Sequence, residues 1–195
     1  NELLADAYNM TGDSRYLSAS KRFSHQVLLT NMKLHSATYL DGKHANTQIP
    51  KVIGFTRIAR LDTAAKDYYE AARFFWTNVV EQRSIALGGN SVSEHFLKAS
   101  DCSKYITERE GPESCNTYNM LKLTEQLFTM DQQAKYVDFY ERALYNHILS
   151  TQHPVHGGYV YFTSARPQHY RVYSQVNQAM WCCVGTGMEN HGKYG

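Results

Sequence analysis

Apolar residues recur at helical spacing in five segments of this 195-residue chain, and that periodicity is the strongest constraint on its folding. Tyr16, Ala19, Phe23 and Val27 share one face. Val52, Phe55 and Ala59 share another, in a segment where Pro50 suits a first helical turn. Tyr68, Ala72, Phe75 and Val79 form a third stripe, and Met120, Leu123 and Leu127 a fourth. Tyr136, Tyr140, Leu144 and His147 form the fifth. Each such stripe has to be buried against another element, so the expectation is an all-α chain of helices packed on helices.

Three segments also resemble one another: Gly12-Asp13 to Phe23, Leu61-Asp62 to Phe74, and Met130-Asp131 to Ala143. Each places an aspartate at a turn, then an aromatic residue, then an arginine at the matching helical offset. The aspartate is expected to cap a helix that follows another after a short turn. Repeated hairpins of this kind stack into a solenoid or close into a toroid with a cleft lined by the connecting loops. Stretches 39–48, 86–113 and 153–183 are richer in Gly, His and Asn and read as those loops. Within the last, the aromatic run Gly157 to Phe162 reads as a short strand, a β excursion near residues 158–163. The chemically distinctive residues all lie in or beside these loops, where binding and catalytic groups concentrate.

The length fits one domain or a large piece of one. A net charge of +2, with scattered Lys and Arg, argues against nucleic acid or an anionic membrane as partner. No run of about 18 apolar residues offers a membrane-spanning helix. Fifteen tyrosines suit a carbohydrate cleft and equally suit aromatic helix packing. The chain opens on Asn1 in what reads as mid-helix and closes in another apparent helix, so it is expected to be a fragment of a longer protein. An export signal would lie upstream of it, which leaves localisation open.

Four cysteines are too few for a disulfide scaffold, and bridging the neighbours Cys182 and Cys183 would strain the backbone. Glu113, Cys115, Cys182 and Cys183 together offer three sulfurs and a carboxylate, a donor set for tetrahedral Zn²⁺. Buried inert thiols and a purely structural zinc are the other readings. Cys115, in a first helical turn, would have its thiolate favoured by the helix dipole. Glu94 follows Gly88-Gly89, glycines that let backbone approach a ligand, so it is either a general acid at a cleft or a solvated loop carboxylate. His44 reads as the polar start of a helix capped by Asn46 or Thr47. His153 and His156 flank Pro154 without an HExxH pattern and are expected in a loop. Cys102 has no partner by spacing. No Walker A loop, Rossmann fingerprint or GxSxG elbow is present.

These residues do resemble a family. Gly88-Gly89 with Glu94-His95-Phe96, Glu113-Ser114-Cys115-Asn116-Thr117, Glu141 to Asn146 and Trp181 to Glu189 are similar to the glycoside hydrolases of families 127 and 146, the β-L-arabinofuranosidases and their relatives. The resemblance runs from about His44 to the end. It implies part of an (α/α)₆ barrel over residues 1–195, with β-sandwich domains outside them, and completion by a second copy as one way for a partial ring to fold. It also implies a retaining mechanism on an arabinose-containing oligosaccharide or glycan, with a cysteine in place of the second carboxylate. Carried over by motif, Glu113, Cys115, Cys182 and Cys183 would hold Zn²⁺, and Cys182 would also be the nucleophile. Glu94 would be the acid/base, while His44 and Tyr161 would contact the sugar. The rivals are a non-catalytic helical scaffold with a structural zinc and a sugar lyase or epimerase on the same toroid.

Overall fold

The computed structural model describes residues 1–194. Eight α-helices carry them: α1 (Glu2–Thr11), α2 (Ser14–Arg22), α3 (Gln26–Lys33), α4 (Ala45–Leu61), α5 (Lys66–Gln82), α6 (Ser114–Asp131), α7 (Ala134–Asn146) and α8 (Cys182–His191). Helices α1, α4, α6 and α8 are successive neighbours and form an inner row. Helices α2, α5 and α7 pack on α1, α4 and α6 as their hairpin partners, with α3 lying on α5. The all-helical hairpin plan expected from the periodicity is the plan of the molecule.

The core lies between the rows. Val52, Phe55, Ala72, Phe75, Val79, Met120, Leu123, Leu127 and Tyr136 are all buried, so the second to fourth stripes face inward as expected. Trp76 sets the centre of this core. Its ring stands edge-on to Tyr136 at 4.7 Å and Phe139 at 5.8 Å, and its indole N–H donates to Thr124 Oγ1 at 2.8 Å. Aromatic edge contacts with the polar tip satisfied are what a fully buried tryptophan requires.

Several local expectations give way to tertiary context. The first stripe is not a core face: Phe23 and Val27 are 73% and 59% exposed, and Leu28, Leu29 and Met32 are buried instead. The helix stops at Arg22 and restarts at Gln26, which breaks the phase on which the stripe depended. Pro50 sits inside α4, because the helix starts at Ala45, within the stretch read as loop. It forfeits the bond its N–H would have made to the carbonyl four residues back.

Of the three turn aspartates only Asp13 caps a helix, accepting from the Arg15 amide at 2.9 Å. Asp62 follows α4 and accepts from the Ala64 amide within the turn, while Asp131 ends α6 and Gln133 precedes α7. The β excursion is a set of isolated bridges, Gln152 to Tyr159, Val160 to Tyr173 and Glu113 to Phe162, rather than a strand. No helix among the described residues is long and apolar enough to cross a membrane.

Candidate active site and metal centre

The N-terminal ends of three inner helices supply the site. His44 precedes α4, Glu113 precedes α6, and Cys182 is the first residue of α8. Helix starts carry unpaired N–H groups and partial positive charge, which favour carboxylates and thiolates placed there. Neither Asn46 nor Thr47 caps α4. Asn46 Oδ1 accepts from Asn119 Nδ2 at 2.8 Å, and Thr47 Oγ1 donates to the His44 carbonyl at 2.9 Å. The His44 ring turns instead to Glu94, with Nε2 lying 3.6 Å from Oε2.

Glu113, Cys115, Cys182 and Cys183 come together, each offering a donor atom within 4.8 Å of the others. Cys183 Sγ lies 3.7 Å from Glu113 Oε1 and 3.9 Å from Cys182 Sγ. Those spacings match the edge of a tetrahedron with bonds of about 2.3 Å, roughly 3.8 Å. Cys115 Sγ is closer still, 3.0 Å from Cys183 Sγ and 3.0 Å from Thr186 Oγ1.

Burial pushes the Cys182 thiol up. The hydrogen bond shared by Cys115 and Cys183 holds Cys183 down at about 7 and pushes Cys115 up. Burial, then the Cys183 thiolate, raises the Glu113 carboxyl to about 8. Glu113 Oε2 is buried without a hydrogen-bond partner, a costly arrangement unless a cation satisfies it. A carboxylate oxygen so placed among three thiols can hold a metal ion, and thiolate-rich sets favour soft or borderline metals. Cys115 and Cys183 are buried, whereas Cys182 is the exposed cysteine of the set.

Glu94 stands on a strained loop. Ser91, Ser93 and Glu94 have φ of 76°, 45° and 67°, values that non-glycine residues adopt at a cost. Backbone bonds hold that conformation: Ala45 N–H donates to the Glu94 carbonyl at 2.8 Å, and Ser93 N–H to the Glu110 carbonyl at 2.8 Å. Gly88-Gly89 serve packing rather than ligand approach. A Cβ on Gly89 would meet Pro112 Cβ at 2.4 Å and His147 Nδ1 at 2.9 Å, and one on Gly88 would meet the Ala143 backbone.

Tyr161 links the two halves of the site. Its hydroxyl donates to Glu94 Oε1, and Cys182 Sγ lies 3.6 Å from the Tyr161 hydroxyl oxygen. Burial, then the bond to Glu94, pushes the phenol up and keeps it protonated. Its backbone is pinned beside α6, where the Ser114 amide donates to the Tyr161 carbonyl at 3.0 Å. The seven residues to which the resemblance assigned roles thus lie in one connected cluster. His153 and His156 lie outside it, stacked on each other at 3.7 Å, and Cys102 is exposed.

Thr186 and His95 lie within the motifs quoted from the sequence, which gave neither of them a role. Thr186 sits one turn after Cys182 on α8, an i,i+4 relation that places both on one face. His95 packs its ring on His44 at 5.3 Å, and adjacency to Glu94 was its signal. Gly187 matters for a different reason. A Cβ there would strike the Tyr159 ring at 2.4 Å, so glycine lets α8 close on the loop.

Behind the site His147 is fully buried, with Nδ1 2.8 Å from Thr117 Oγ1 and Nε2 3.1 Å from Thr163 Oγ1. Burial, and secondarily Arg171, hold it down from 6.5 to about 3. Between those values the unfolded chain takes up a proton that the native state refuses. The His147 contribution is therefore complete above pH 6.5 and is lost as pH falls toward 3. Urea midpoints at pH 7 and pH 4 are expected to show His147 accounting for about 3 kcal/mol of the acid loss. His147→Gln should flatten that part of the slope; identical slopes in both proteins would refute the assignment.

Comparison with known proteins identifies the fold and the family. The chain superposes on a GH127 β-arabinofuranosidase with a TM-score of 0.70 at 22% identity, covering 94% of this chain and 30% of that one. A GH127 β-L-arabinofuranosidase from Geobacillus stearothermophilus gives 0.67 at 19% identity, over 83% and 29%. A protein described as a glycoside hydrolase gives 0.62 at 15%, over 88% and 33%. The chain spans about a third of the length of these structures, and at such identities the likeness is one of fold. No curated protein sequence matches it. The profile of the family described as beta-L-arabinofuranosidase, GH127 catalytic domain, matches residues 1–195. A match over the whole length, on a helical fold shared with GH127 structures, makes the chain a member of that catalytic-domain family.

Proposed function

We propose that this chain carries the catalytic set of a retaining glycoside hydrolase that removes β-L-arabinofuranosyl residues from glycans. The observation that carries the reading is the Tyr161 hydroxyl, which touches both the Glu94 carboxylate and the Cys182 thiol. An ordinary O–H···O bond of about 2.7 Å added to the 3.6 Å contact caps the separation of the two groups at roughly 6 Å. Retaining enzymes hold their acid and nucleophile about 5–5.5 Å apart, whereas inverting ones leave room for a water.

In this scheme Cys182 Sγ attacks the anomeric carbon as Glu94 donates its proton to the departing oxygen. The carbon–oxygen bond breaks and a thioglycosyl intermediate remains on Cys182. Glu94, now ionised, takes a proton from the water that displaces the sulfur, and the thiolate is released. Tyr161 would orient both groups, and His44, 3.6 Å from Glu94, would contact the sugar. Glu113, Cys115, Cys182 and Cys183 would hold Zn²⁺, which when bound keeps the thiols ionised at neutral pH.

Glu94→Gln tests the acid/base role. With an arabinoside whose leaving group is a sugar, kcat/KM, which reads the step that breaks the glycosidic bond, is expected to fall by about 10²–10⁴. The loss should be smaller for a nitrophenyl arabinoside, whose leaving group departs without protonation. Equal losses on both substrates, or none, would remove Glu94 from the mechanism. Inversion of the anomeric centre, read by NMR of the first-formed sugar, would remove the retaining scheme.

A further inference from the structure

A cleft of about 340 Å³ opens beside this site, walled by Tyr161, Phe162, Tyr170 and Trp181. Its size suits one or two sugar rings, whose apolar C–H faces stack on aromatic side chains. Tyr161 also borders the reacting groups, and Trp181 immediately precedes Cys182. The sugar being cleaved has to meet Cys182, Glu94 and His44, and the cleft contains none of these three. It therefore takes the neighbouring unit of the glycan, which for a terminal arabinosyl residue is the leaving group.

The charges on its rim narrow the chemistry. Arg109 lines the cleft, and an adjoining hollow of about 290 Å³ is lined by Arg109 and Arg166 together. Among the described residues neither arginine pairs with a carboxylate. Glu110 is the one acid lining the two hollows, which leaves them net positive. Guanidinium groups present a planar fork that binds carboxylates with two parallel hydrogen bonds. The geometry points to an acidic sugar, a uronate, on the leaving-group side of the scissile bond. This inference rests on the hydrolase reading for its location and on Arg109 and Arg166 for its chemistry.

Tryptophan emission provides a local test. The chain has two tryptophans; Trp76 is buried in the core, while Trp181 stands in the cleft. The purified chain is titrated with digalacturonic acid and with its methyl ester, which keeps the shape and removes the charge. The acid is expected to bind at least about tenfold tighter, with the preference shrinking as salt is added. R109A and R166A should each lose most of that preference and keep the affinity for the ester. Equal affinities, no saturable response to the acid, or a preference that survives in the double variant would overturn the inference. Release of nitrophenol from a nitrophenyl β-L-arabinofuranoside, which has no acidic sugar, tests the hydrolase reading separately. Turnover without acid preference defeats only the uronate site, whereas acid preference without turnover, in this chain and in a longer protein that contains it, keeps the Arg109–Arg166 site and removes its placement on the leaving-group side.

Discussion

Replacing Cys182 by serine lowers kcat on a nitrophenyl β-L-arabinofuranoside by about 10⁴-fold or more. Three features make Cys182 the vulnerable atom. It is the exposed thiol of the cluster, it heads α8, and it contacts Tyr161, which also holds Glu94. A serine hydroxyl keeps the shape but ionises far less readily than a thiol, so it offers almost no nucleophile at neutral pH. Cys182 is also one of the four proposed zinc donors, so zinc content and melting temperature measured on Cys182→Ser separate a loss of chemistry from a loss of the metal site. An electrophilic arabinose analogue should add once to the wild-type chain, and peptide mapping should place it on Cys182. Cys102 is a built-in control, because it is also exposed but lies outside the cluster. Labelling of Cys102 instead, or normal turnover by Cys182→Ser, would sink the nucleophile assignment.

The second large effect concerns the metal. Protein purified under reducing conditions without chelator is expected to carry one zinc per chain, and Cys115→Ala should lose it. Cys115 and Cys183 are buried, and Glu113 buries an oxygen that has no hydrogen-bond partner. Without a cation these groups must share protons or repel one another; with it their burial becomes favourable. Binding that contributes several kcal/mol corresponds to a fall in Tm of about 10 °C or more on its loss, for a chain of this size. Elemental analysis and a thermal melt read both quantities on one sample. A well-folded chain with no zinc, whose melting point ignores Cys115→Ala, would make the four groups a buried cluster without a metal.

How far the sequence carried depended on whether each signal was local. The stripes through Val52, Phe75 and Leu123 were legible because each lies within one unbroken helix. The stripe from Tyr16 to Val27 misled because a turn interrupts it, and periodicity carries no phase across a turn. Gly88-Gly89 were read as a place for a ligand, yet their neighbours are Ala143, Pro112 and His147. A glycine reports that space is tight without saying what fills it.

By itself the sequence determined the helical hairpin plan and the residue types able to hold a metal or move a proton. Both follow from short-range information, the 3.6-residue repeat and the identities of neighbouring side chains. Only the tertiary structure decided which thiol is exposed, and that Tyr161 touches both Glu94 and Cys182. Tyr161 and Glu94 are 67 positions apart, and Cys183 and Glu113 are 70. Contacts at that range depend on how the starts of α4, α6 and α8 are brought together. That placement is set by burial of the opposite ends and faces of those helices, including Phe55 and Leu127, residues remote from the chemistry.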